Sequence, residues 1–165
     1  MNYWKLFSIS VVLFFLQGSF LPLLLFGKWQ PDIFLTVLII FSLIFEKKEI
    51  FVFAVVFGLI QDLIIGNFFG LHIFPYVIIS WFIVQFIKEK YNKHWYVSFI
   101  SVLIGSFVYF LMSSFIVWQS GYNYLTDYYL VLGVPFVLCN GLIALFLHKL
   151  LWKFKQEKEL SLIHI

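Results

Sequence analysis

Residues 53–71, FAVVFGLIQDLIIGNFFGL, decide how this chain is read. Asp62 is the one ionisable residue in a long apolar run. Ala54, Gly58, Gly66 and Gly70 lie at four-residue multiples from it. A four-residue step advances about 40° around a helix, so these residues form a slowly winding stripe of small side chains about one carboxylate. Small residues on such a stripe let a second helix approach closely, and the carboxyl can hydrogen-bond across the contact. An ionised Asp at the centre of a bilayer costs about 2.5–3.5 kcal/mol, so Asp62 must face protein or water, or take up a proton.

The rest of the chain has the composition of a membrane protein. Of 165 residues, 63% are hydrophobic and 12% charged, with a mean hydropathy of +1.00, well outside the range of soluble domains. All eleven basic residues are Lys. The absence of Arg weakens any nucleotide-site reading, because Arg supplies bidentate phosphate contacts. The net charge of +3 comes from Lys at span ends and points to anionic lipid headgroups rather than nucleic acid. Cys139 is the single cysteine, which excludes an internal disulfide; it reads as a small buried hydrophobe.

The expected fold class is an all-α integral membrane protein with six transmembrane helices, at about 6–26, 30–45, 50–65, 71–87, 95–118 and 128–151. The transmembrane domain is 1–152, and 153–165 is a charged cytoplasmic tail. The first span reads as uncleaved, because no small-x-small site follows its apolar run. Pro31 suits the first turn of the second helix. The 38 Lys-free residues 50–87 exceed one span of about 20, so a tight turn is required at 66–70. Pro135, ahead of Asn140 and Gly141, is expected to bend or loosen the last helix.

Lysine placement supports this count. The N-terminus, second loop, fourth loop and C-terminus carry ten of the eleven Lys, with only Lys28 opposite, so the positive-inside rule places both termini in the cytoplasm. Trp4, Trp29, Trp95, Trp118 and Trp152 fall at span ends as an interfacial belt, and Trp81 falls inside a span. Tyr122 and Tyr124, with Tyr128 and Tyr129, crowd the last outer loop. On this topology Asp62 lies about 18 Å into the third span.

Gln61, Gln85 and Asn140 are the other strongly polar intramembrane residues, joined by Gln17 in the first span. Amides in lipid seek partners on other helices. If Gln61, Asp62, Gln85 and Asn140 converge, they line a polar cavity. His72, His94, His148 and His164 are scattered without a second ligand at metal spacing, so no metal and no cofactor are expected. Asp32 and Asp127 read as outer-surface residues, which leaves Asp62 without a second carboxylate. No catalytic motif is present, and the chain reads as a non-enzyme.

These residues resemble a known family. Pro31-Asp32 opening a short second span, Gly58-Leu59-x-x-Asp62 in the third, Gly70 after it and Pro135…Asn140 in the last are similar to the rod shape-determining protein MreD family. The resemblance implies a multi-pass component of the bacterial inner membrane that serves the cell-elongation machinery of peptidoglycan synthesis as a scaffold or regulator. It implies MreC as the partner, with RodA, a class B penicillin-binding protein, and MreB and RodZ on the cytoplasmic side. The expected partner-binding and packing residues are Ala54, Gly58, Asp62, Gly66, Gly70, Pro31 and Asn140. The alternative is a transporter or substrate-capture subunit, like those of energy-coupling-factor transporters, built around Gln61, Asp62, Gln85 and Asn140. An enzyme acting on lipid-linked substrates is disfavoured by the missing Arg and paired carboxylates.

Overall fold

A computed structural model describes residues 8, 12–13, 15–20, 31–65, 69–88, 94–121 and 126–163. Gly66, Trp4, Trp29, Tyr122, Tyr124 and His164 lie outside these residues, as does most of the first expected span. The described residues are all-helical. A π-helical segment, Leu16–Phe20, precedes α1 (Ile33–Ile44), α2 (Lys47–Ile65), α3 (Ile73–Phe86), α4 (Trp95–Gln119) and α5 (Thr126–Ile163). Most of these sequences are rich in Ile, Val and Phe, which are poor helix formers in water. In an apolar medium the backbone must bond to itself, and the helix wins.

The polarity of the molecule is inside out. Exposed side chains on α4 include Ile100, Ile104, Phe107, Leu111, Phe115 and Trp118, at steps of three and four that make one apolar face. Meanwhile Asp32, Gln61, Asp62, His72, Ser106, Asn140 and His148 are buried. Water would expel this arrangement, and lipid favours it. Two helices, Trp95–Gln119 and Val131–Leu150, are long and apolar enough to cross a membrane. α2 carries Lys47, Lys48, Glu49 and Asp62 along its 19 residues, and α1 and α3 are shorter, at 12 and 14 residues.

α1 is the centre of the fold. All twelve of its residues are buried, and it packs against α2, α3, α4 and α5. Those four surround it as an arc in chain order, with α2 on α3, α3 on α4 and α4 on α5. At about 18 Å, α1 is well short of the roughly 30 Å hydrocarbon thickness. Enclosure by protein removes the need to match it. Phe34, Phe41, Phe53 and Phe57 fill the α1–α2 contact edge to face, with ring centroids 5.0–5.4 Å apart for the pairs Phe34–Phe57, Phe41–Phe53 and Phe53–Phe57.

The helices differ from expectation at two places. α1 starts at Ile33 with Asp32 as its N-cap, so Pro31 precedes the helix instead of opening it. α5 runs unbroken through Pro135 and on through the charged tail to Ile163. Trp81 lies within α3 as expected, half-exposed beside Phe86.

Glycines set the closest approaches. A Cβ on Gly58 would lie 2.5 Å from the Cα of Ile73, so α2 and α3 touch backbone to backbone there. On α5, Gly133 receives the ring of Phe110 and Gly141 receives Leu103, which seats α4. Gly58→Ala is therefore expected to destabilise the fold by about 1–3 kcal/mol. Gly105→Ala, which would meet side-chain atoms of Ile39 and Ile79 and no backbone, should cost less. Thermal unfolding of the two variants in detergent checks the order.

Candidate functional site

Two buried carboxylates organise the interior, and each caps a helix. Asp32 accepts at Oδ1 from the Leu35 N–H at 3.0 Å, the N-cap bond of α1. The same oxygen accepts from Gln61 Nε2 on α2 at 3.3 Å. Its Oδ2 accepts a short bond from the Tyr76 hydroxyl on α3. The Asp32 backbone N–H donates to Asn140 Oδ1 on α5 at 2.8 Å, and Asn140 Nδ2 donates to Ser106 Oγ on α4 at 3.0 Å. One residue at the head of α1 thus ties together all four surrounding helices.

Asp62 sits next in sequence to Gln61 and serves a different helix end. It accepts from the backbone N–H of Gly70 at 2.8 Å and of His72 at 2.9 Å, with Ile73 at 3.5 Å. His72 Nδ1 lies 2.8 Å from Asp62 Oδ1, a bond satisfied when Nδ1 carries the hydrogen. His72 is the N-cap of α3 and makes no cap bond with its own side chain. Asp62 supplies that acceptor from across the α2–α3 turn, at the positive end of the helix dipole. Gly70 adopts φ +98, a left-handed conformation that favours glycine and presents its N–H to the carboxylate.

The two centres meet through rings. His72, Tyr76 and Tyr109 are buried together, with centroids 5.7–6.0 Å apart. Tyr76 is thereby both a bond to Asp32 and a neighbour of His72.

The expected site residues separate into three groups. Gln61 and Asn140 do converge, each on Asp32, with Asp62 beside them on its own helix cap. Gln85 does not join them: it is exposed, and its Oε1 accepts from Lys47 Nζ at 3.2 Å near the other end of the bundle. Ala54 is fully buried and Gly58 faces Ile73 of the same chain, so this part of the stripe is covered by α3 and is not a free face. Pro31 is buried at the head of α1, and Gly70 caps α3 as described.

Asp32 is the main correction. Expected at the outer surface, it is 4% exposed and the most connected polar residue of the interior. Pro31-Asp32 ahead of an apolar run did signal a helix start, but nothing in the sequence shows that this start is enclosed. His72 was also missed as the partner of Asp62, because a turn separates them by ten residues. Among the described residues, no three His, Cys, Asp or Glu side chains gather as a metal site.

A helical bundle with apolar faces outward and its carboxylates satisfied within defines the class: an integral membrane protein whose polar centre holds helices together. The family model for the rod shape-determining protein MreD matches residues 1–158, and the chain belongs to that family. It is therefore a bacterial membrane protein of the rod-shape system, in a family of structural shape determinants and not of known enzymes. No curated protein and no solved structure matches the chain.

Asp62→Ala would strand the Gly70 and His72 N–H groups and is expected to cost about 1–3 kcal/mol. In a double-mutant cycle of Asp32→Ala with Tyr76→Phe, we expect a coupling of about 0.5–3 kcal/mol, since each removes the same bond. Thermal or denaturant unfolding in detergent measures both.

Proposed function

We propose that this protein is a non-enzymatic scaffold of the cell-elongation complex, crossing the inner membrane six times with both termini in the cytoplasm. It binds MreC through transmembrane and outer-face contacts, and MreC joins it to the synthase pair of RodA and a class B penicillin-binding protein. MreB and RodZ lie on the cytoplasmic side.

The observation that carries this reading is how the buried polar groups are used. Asp32, Gln61, Asp62, His72, Ser106 and Asn140 each bond to another part of the chain at a helix end or between helices. Such groups give a bundle a single rigid arrangement. The outward faces of α3, α4 and α5 are apolar, which suits lipid and the transmembrane helix of a partner. The Lys asymmetry supports the orientation.

The test uses a tagged copy in a rod-shaped bacterium depleted of its own. Co-isolation of MreC and restored rod shape are expected; a protein that restores shape but brings down no MreC contradicts the scaffold. Function should follow the amount of folded protein. Asp62→Asn, measured against its level in the membrane, is expected to keep its activity per molecule. Complete loss of activity at normal abundance would favour chemistry at that carboxylate instead.

A further inference from the structure

Where α4 begins and the apolar part of α5 ends, the two helices line a cleft of about 500 Å³. Its walls are His94, Trp95, Leu145, His148 and Lys149. The membrane-length segments are Trp95–Gln119 and Val131–Leu150, so the cleft lies at one end of both, at the level where headgroups meet hydrocarbon. Among the described residues the lining has no acidic side chain and one lysine, Lys149.

The backbone adds to this. His94 is the N-cap of α4 but makes no side-chain cap bond. In the first turn of α4 the Val97 N–H bonds back to the His94 carbonyl at 3.1 Å, and the N–H groups of Trp95 and Tyr96 lie at the positive end of the helix dipole. Here that end belongs to a 25-residue helix and opens beside Lys149. His148 is buried and held by Ser98 Oγ at 2.8 Å, and His94 is stacked on Tyr96, with ring centroids 5.1 Å apart and planes 16° from parallel. The His148 imidazole is therefore held in place, while His94 is exposed at the mouth of the cleft. On the hydrocarbon side of Lys149, Leu142 and Phe146 are exposed four residues apart along α5, Phe146 at 80%. They form an apolar wall running away from the cationic cleft.

We infer that this cleft binds an anionic phospholipid, its phosphodiester held by Lys149, His94 and the start of α4, and its acyl chains laid along Leu142 and Phe146. A small free anion would use the cleft but has no need of the wall. Trp95 at the rim, more than half exposed, is placed as an interfacial anchor beside the headgroup.

The full-length protein, purified in a nonionic detergent, is titrated with phosphatidylglycerol and with phosphatidylcholine of the same chains. Bound lipid is counted by native mass spectrometry. Phosphatidylglycerol should be retained in preference. Lys149→Gln, at an exposed position that does not threaten folding, should weaken it about fivefold and leave phosphatidylcholine unchanged. Adding His94→Gln should weaken it further, while Lys47→Gln, a lysine held by Gln85 elsewhere, should change nothing. Equal retention of the two lipids, or Lys149→Gln binding like wild type, overturns the site. Displacement of phosphatidylglycerol by millimolar inorganic phosphate overturns the lipid assignment in favour of a free anion.

Discussion

The first four N–H groups of an α-helix have no partner within the helix, and in a dry interior that deficit must be met by something else. For α1 it is met completely. Asp32 N–H goes to Asn140, Ile33 and Phe34 N–H to Gln17, and Leu35 N–H to the Asp32 carboxylate. Thr36 is the first residue to bond back along the chain, to the Asp32 carbonyl. The acceptors come from sequence positions as far apart as 17 and 140. Satisfying one helix end thus fixes where the N-terminal segment and α5 must lie. The same demand at the other end brings Lys88 to the Phe45 carbonyl.

This constraint explains why a helix too short to cross a bilayer sits at the centre. α1 is shielded on all sides, so its ends are governed by hydrogen bonding and not by membrane thickness. α3 is treated the same way. Its N-terminus is capped by Asp62 from α2, and Gly58 lets the two backbones approach closely enough for the carboxylate to reach. The glycine and the aspartate in Gly58-Leu59-Ile60-Gln61-Asp62 therefore have one shared purpose, close approach followed by capping. Gln61 extends it to Asp32.

Much of this was legible in the sequence. Composition gave the membrane class. The glycine-bounded turn after Asp62, and the start of α4 at Trp95, follow from punctuation and from interfacial aromatics. Asp62 was visible as a polar lock, though its partner was not, because capping across a turn depends on where His72 falls after the chain reverses. Asp32 was misjudged for a related reason. An acidic residue beside a proline at a span end looks the same whether the end meets solvent or five other chain segments. Gln85 looked like Gln61 by type and by burial in an apolar run, yet it faces outward and meets Lys47. Convergence of polar residues is a tertiary property, and hydrogen bonds spanning 29 to 108 residues leave no local trace.

The measurement that bears most directly on this account is hydrogen–deuterium exchange of the full-length protein in micelles, read on the peptide covering residues 31–36. Helix starts usually fray, and their first amides exchange quickly. If side chains from Gln17, Asp32 and Asn140 hold those amides, this peptide should be protected as strongly as the middle of α1, and Asn140→Leu should speed its exchange. Exchange at 31–36 as fast as in the exposed turn at Gly121 would contradict it.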